Sequence, residues 1–231
     1  MTAQVPLPRS WRFSPERSLG TEAMDRTELD PRLRKQALVG LERLRRIFLR
    51  PTSILDAMVA ILPPTFDQTI RIVELGAGSR DLSDNLGRAL ELTGRHVEMI
   101  PTDRVAAPGV HAFDCTGSAG WIDADLYFSN LLLHHLGVDE IRRSLLRQTM
   151  HARHGSVHLD LVRNRFGYYV TRFFLPFLRY PLINQSDGLL SIQAAFTVSE
   201  MRGLAHGLPG IHTVSRVLPF RQILVSQPEV S

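Results

Sequence analysis

The sequence predicts an α/β fold: a parallel sheet with helices on its faces, ended by an antiparallel hairpin. Three observations carry that prediction. Short β-branched apolar runs alternate with segments of helical period, which implies parallel strands joined by crossovers. Gly76-Ala77-Gly78 stands directly between the first such run and a helical stretch. The last two apolar runs are separated only by a short link containing Pro219, which suits a hairpin. The 231 residues suffice for one or two domains with a sizeable core.

The elements follow in order. Residues 1–23 carry three prolines in the first fifteen positions and an isolated Trp11, and read as an irregular arm. Asp30 is an N-cap and Pro31 a first helical residue. Leu33, Ala37, Leu41, Leu44 and Phe48 then recur at helical spacing until Pro51. A short helix, 53–62, stops at Pro63-Pro64. These residues, 1–64, form an arm with cap helices; 65–231 form the main domain. Strands are predicted at 69–75, 96–100, 110–113, 125–129, 156–162, 212–217 and 220–226. Helices are predicted over 79–93, 131–152 (ending by Gly155), 165–180 and 198–206, with a Ser186-Asp187-Gly188 turn between the last two. Only about nine residues separate the second strand from the third, and about eleven the third from the fourth. A helical crossover needs roughly a dozen or more. The fold is therefore trimmed after strands 2 and 3.

Composition excludes several classes. A single Cys rules out an internal disulfide framework or a multi-cysteine zinc module. The longest uncharged runs, Leu126–Val138 and Gly203–Ser215, have 13 residues each, short of the roughly 18 of a membrane span. MTAQVPLPRSWRFS lacks an apolar segment, so no secretory signal is expected and a cytoplasmic location follows. The net charge of +4 and pI near 9.8 fit nucleic acid binding or a bias from Lys to Arg.

The chemistry concentrates at the first strand's end, Glu74-Leu75-Gly76-Ala77-Gly78-Ser79-Arg80-Asp81. An acid, a Gly-x-Gly turn and a helix start make a nucleotide-binding geometry. The dinucleotide fingerprint wants a small residue where Asp81 stands, and the Gly-Lys-Ser/Thr of a phosphate loop is absent. Asp103 follows the second strand, where an acid takes ribose hydroxyls. Asp114 follows the third, where an acid can accept from an adenine amino group. Arg104 and Cys115, the next residues, share their loops.

On these residues the chain resembles the class I S-adenosylmethionine-dependent methyltransferases. Glu74–Gly78 looks like their first motif, and Asp103 and Asp114 match their acids after strands 2 and 3. Leu126–Leu136 (LYFSNLLLHHL) is similar to the fourth motif of ubiquinone/menaquinone-type and related small-molecule members. Asp160-Leu161-Val162-Arg163, Gly167-Tyr168, 186–191 (SDGLLS), Ala195-Phe196-Thr197 and Glu200 look like a bacterial subgroup often acting in aromatic polyketide or phenolic-lipid pathways. The resemblance implies a Rossmann-like sheet ordered 3-2-1-4-5-7-6 and S-adenosylmethionine as cofactor. It assigns Glu74, Gly76, Ala77, Gly78, Asp103, Arg104, Asp114, Cys115 and Asn130 to that cofactor. Arg80 departs from a position often held by glycine; it faces either the cofactor's carboxylate or solvent.

His134 and His135 are the candidate general bases for a hydroxyl acceptor. Neighbours on a helix diverge, so at most one faces the acceptor. Asp160, Arg163, Tyr168 and Tyr169 are the candidate acceptor residues. His151, His154 and His158 have no acidic or thiolate companion in sequence, and no metal is expected. Phe166, Tyr169, Val170, Phe173, Phe174, Phe177 and Leu178 form one helical face, with Arg165, Arg172 and Arg179 opposite. That face reads as a core cover, a lid over an aromatic or lipidic acceptor, or a peripheral contact with an anionic membrane. Residues 32–50 carry net +6 and 142–179 net +7, leaving −9 elsewhere. This placement argues against a general nucleic-acid surface and for a basic rim around an apolar acceptor. Two other readings stand: a scaffold that binds the cofactor without catalysis, and an RNA methyltransferase, against which the absent Asn/Asp-Pro-Pro-Tyr/Phe motif argues. Nothing in the sequence sets the oligomeric state.

Overall fold

The structure, a computed structural model, describes residues 12–20, 22–23, 29–33, 35–37, 39–40, 52–64 and 68–229. Seven strands form one sheet: β1 (Ile70–Leu75), β2 (Val97–Asp103), β3 (His111–Ala112), β4 (Ala124–Asn130), β5 (Ala152–Leu161), β6 (Ile211–Val217) and β7 (Arg221–Gln227). Their order is β3-β2-β1-β4-β5-β7-β6, as expected. The first five pair in parallel, and β6 runs antiparallel to β7. Among the described residues the α-helices α1 (Thr52–Ile61), α2 (Asp81–Glu91), α3 (Val138–His151), α4 (Arg165–Phe177), α5 (Leu182–Ala194) and α6 (Val198–Ala205) accompany them. No helix intervenes between β2 and β3 or between β3 and β4, so both crossovers are trimmed. Of the predicted helix after Asp30, residues 31–33, 35–37 and 39–40 are helical. Leu41, Leu44, Phe48 and Trp11 lie outside the described residues.

The chain divides into two compact units, Met1–Arg50 with Leu161–Thr197, and Pro51–Asp160 with Val198–Ser231. In the second, which holds most of the sheet, the strand period of two sends Ile70 and Ile72 of β1 to one face and Val73 and Leu75 to the other. The first face packs against Ile54 and Met58 of α1 and Leu82, Leu86 and Leu90 of α2. The second packs with Tyr127, Cys115, Phe113 and Trp121, so a loop covers it where the trimmed crossover provides no helix. Arg95 is buried and donates to the carbonyls of Pro63, Val59 and Leu62, satisfying the orphan acceptors at the end of α1.

In the other unit α4 and α5 pack together. Tyr168, Leu189 and Ile192 form its core with Phe13 and Tyr169. Ala23, Ala37 and Ile183 form a second cluster. Polar links tie α5 to the preceding segment: Asp187 accepts from the Ala23 amide at 2.8 Å, and Asn184 donates to the Ala37 carbonyl at 2.9 Å.

Four expectations are corrected. β2 runs to Asp103; β3 reaches only Thr102 and Asp103, so Pro101 sits beside an open edge that tolerates its missing N–H. α3 ends at His151 and β5 begins at Ala152, because Ala152 pairs with Ala124 of β4. Ser186-Asp187-Gly188 lies inside α5 and makes no turn, since its polar side chains find buried partners. The packed side of α4 carries Tyr168 and Leu175, while Phe166, Phe173, Phe174 and Phe177 are exposed. Packing against α5 selects the Tyr168 side.

Candidate functional site

The carboxyl ends of β1, β2 and β4 meet around the glycine turn. Gly76 and Gly78 have φ of 68° and 61°, a left-handed conformation that glycine adopts without strain. At Gly76 a Cβ would also stand 2.6 Å from the Leu132 side chain. At Gly78 a Cβ would meet nothing within 4 Å. The turn is fastened to β2: the Ala77 amide donates to the Thr102 carbonyl at 2.9 Å, and the Gly78 amide to Oδ2 of Asp103 at 3.0 Å. Oδ1 of Asp103 accepts from the Val105 amide at 3.0 Å. Its carboxylate is thereby fixed in direction, and each oxygen keeps a second lone pair for a hydroxyl donor. A fixed acid beside an open glycine is a cradle suited to a ribose.

Glu74 supports this turn from behind. It is buried, and its Oε2 accepts from the Ser83 hydroxyl of α2 at 2.5 Å. Thr102 donates its hydroxyl to the Glu74 carbonyl at 2.6 Å. Ser83, Thr102 and Leu132 are parts of the site that the sequence did not single out; their types are ordinary, and only the packing reveals them. Arg80 pairs with Asp84 at 3.0 Å, half exposed, and its stem lies over Gly109. Asp114 accepts from the Thr116 amide and hydroxyl, and these bonds hold its carboxyl below the usual range. Arg104 is exposed near it. The Cys115 thiol is packed in the core, where burial pushes it up to about 11.

At the end of β4 the chain turns sharply. Asn130 closes the strand, half buried. Leu131 takes φ of 59°, an outlying conformation for a bulky residue. A 3₁₀ turn, Leu133–His135, follows. His134 is buried in it. Its Nδ1 stands 2.6 Å from Oδ1 of Asp160, and its backbone amide donates to Oδ2 of the same carboxylate at 3.0 Å. An ionised carboxylate only accepts, so Nδ1 of His134 carries a proton. His135 is exposed, its ring 4.2 Å from that of His134.

The acceptor assignments are redistributed. Asp160 is 1% exposed and orients His134, because β4 and β5 lie side by side and bring the two together. Arg163 is buried, and its Nε donates to the Ala195 carbonyl at 3.1 Å. Tyr168 is fully buried against Phe13 and Tyr169. Arg163 and Tyr168 therefore hold their own unit together. Tyr169 stays half exposed, stacked 6.4 Å from Phe173.

The three spaced histidines go to separate partners. His151 bonds Asp123 at 2.7 Å, and His154 lies 4.0 Å from Asp125. His158 is wholly buried below the site. Its Nδ1 meets the Ser129 hydroxyl at 2.8 Å, and its Nε2 meets Gln148 Oε1 at 2.9 Å and the Ser156 hydroxyl at 3.2 Å. Gln148 accepts there, so His158 is a neutral Nε2–H tautomer. Burial pushes its pKa down to about 4.

Compared by sequence, the chain matches no family model and no curated protein. Compared by structure, it resembles the plantazolicin methyltransferase BpumL in complex with SAH, with a TM-score of 0.61, 12% identity and coverage of 87% of this chain and 91% of that one. It resembles human N-acetylserotonin methyltransferase in complex with SAM, with a TM-score of 0.56, 13% identity and coverage of 86% and 56%. It also resembles an O-methyltransferase family 2 protein from Planctomyces limnophilus in complex with apigenin, with a TM-score of 0.52, 13% identity and coverage of 89% and 65%. The chain thus spans about half the length of the human enzyme and nearly all of BpumL. At these identities the likeness establishes architecture, and that architecture, together with the sheet order and the glycine turn at β1, is the class I methyltransferase fold.

Proposed function

We propose that this protein is an S-adenosylmethionine-dependent methyltransferase that acts on a hydroxyl of a small aromatic or lipidic acceptor. The observation that carries the hydroxyl chemistry is the buried His134–Asp160 pair at the carboxyl end of β4. The cofactor is supported by Gly78, which opens on space, and by Asp103, whose carboxylate is already aimed. The structures it resembles are complexes with SAM, SAH or apigenin, which agrees with that reading.

When bound, S-adenosylmethionine supplies an activated methyl on a sulfonium. The chain's own work is placement and proton handling. Asp103 would accept from the ribose hydroxyls, the Gly76–Gly78 backbone would let the ligand approach closely, and Asn130 would flank its amino-acid end. Asp160 holds the imidazole so that Nε2 of His134 takes the acceptor's hydroxyl proton. The positive charge that forms on the ring is stabilised by the same carboxylate.

The test combines calorimetry and turnover. Wild-type protein is expected to bind S-adenosylhomocysteine and to methylate members of a phenolic panel. Asp103→Ala is expected to weaken that binding at least tenfold. Tight binding with no transfer to any phenol would replace this reading by a non-catalytic scaffold. No binding at all would remove it.

A further inference from the structure

The exposed face of α4 calls for an occupant. Phe173, Phe174 and Phe177 are 67%, 54% and 81% exposed. Phe173 and Phe177 lie four apart, and Phe166 lies seven before Phe173, so the three recur on one line along the helix. That line is opposite the buried Tyr168 and Leu175. Leu182, at the start of α5, extends the apolar surface and is 64% exposed.

Cations flank this stripe. The Arg165 guanidinium stands 5.9 Å from the Tyr169 ring centroid and that of Arg172 5.7 Å from Phe173. The expected opposition of Arg and aromatic faces is thus a flanking arrangement. Just beyond α4, Arg179 joins Arg32 and Lys35 around a cleft of about 540 Å³ with Val39 and Pro181. No Asp or Glu occurs between Asp160 and Asp187, or between Asp30 and Glu42.

We propose that this surface docks on an anionic lipid bilayer, with the phenylalanines entering the headgroup boundary and Arg32, Lys35 and Arg179 meeting lipid phosphates. An aromatic stripe edged by cations, on a segment with no acid between Asp160 and Asp187, is the make-up of an interfacial helix. Charge decides between occupants. A second copy would set the same cations against one another, and a neutral apolar partner would leave them unmatched. The inference lies within one unit and stands apart from the transferase reading.

The test is sedimentation of the full chain with two kinds of vesicle, phosphatidylcholine alone and phosphatidylcholine with one third phosphatidylglycerol. Wild-type protein is expected to pellet with the anionic vesicles and to be released by salt. F173S/F177S is expected to lose that binding at least tenfold with its thermal transition unchanged, since both side chains are exposed. R32Q/R179Q is expected to lower it several-fold. F177W is expected to shift its emission to the blue on anionic vesicles. Equal binding to both vesicle types, or undiminished binding of F173S/F177S, would overturn the proposal. So would a wild-type dimer in light scattering that F173S/F177S converts to monomer without any vesicle binding by the parent.

Discussion

Asp160 accepts two bonds from a single residue, one from the imidazole and one from the main chain of His134. That arrangement fixes the ring's position as well as its tautomer. His134→Gln is expected to lower turnover about 10²–10⁴-fold with cofactor affinity nearly unchanged. Asp160→Asn is expected to do similar damage through the wrong tautomer, and to shift the pH profile of kcat, which a purely structural residue would not move. Both are read from steady-state rates across pH beside calorimetry. His158 makes a separate prediction. Its folded pKa, about 4, lies below the roughly 6.5 of an unfolded histidine. Between those values only the unfolded chain takes the proton, so stability falls as pH drops from about 6.5 and levels near 4. The loss is about 3 kcal/mol at most by this group. His158→Gln is expected to flatten that part of the urea-denaturation profile. Residue identity alone could not separate these histidines: all nine look alike in sequence, and only strand register puts one beside Ser129 and another against Asp160.

At the scale of the element, what was legible followed from periodicity. The β-branched run of β1, the Gly-x-Gly turn and the short connections after β2 and β3 declared themselves. α5 did not, because it is buried on several sides. Asn184, Ser186, Asp187 and Ser191 are buried in it, and Asn184 Nδ2 and the Asp187 carboxylate bond to the distant backbone of Ala37 and Ala23, so its polar residues imitate a loop. The start of β5 was hidden for a related reason: Arg153, His154 and Gly155 do not look like strand residues. Gly155 has φ of 122°, and a Cβ there would stand 1.9 Å from the Ser226 carbonyl oxygen of β7. Gly155→Ala is therefore expected to destabilise the sheet by about 2 kcal/mol or more, measurable by urea titration. Arg95→Ala is expected to cost about 1–3 kcal/mol by leaving the last carbonyls of α1 unsatisfied.

At the scale of the molecule, the arginines divide by task. Arg95 and Arg163 are buried on backbone carbonyls, and Arg142 donates to those of Gly203, Leu204 and His206 at the C-terminal end of α6. The expected basic rim is to that extent a set of internal caps; Arg32, Lys35 and Arg179 line one cleft, and Arg143, Arg153 and Arg165 are exposed. No helix among the described residues is long and apolar enough to cross a membrane. The discontinuous unit, Met1–Arg50 with Leu161–Thr197, makes a further prediction. Deleting residues 1–50 removes the partners of Asn184 and Asp187 and most of one apolar cluster. Hydrogen exchange is expected to show lost protection over 161–197 while β1, β4 and α2 keep theirs.

Arg17 reaches the Ala194 carbonyl across 177 positions of sequence, and Ser18 bonds to Gln193. Such closures come late when a chain is made from one end. At about 5–20 residues per second, residues 12–40 leave the ribosome roughly 10–30 s ahead of the segment that completes their core. In that interval the nascent chain carries an apolar, arginine-rich stretch with nothing of its own to fold against. Arrested synthesis just before residue 161 would therefore leave that stretch open to chaperones, and release past 197 would close it.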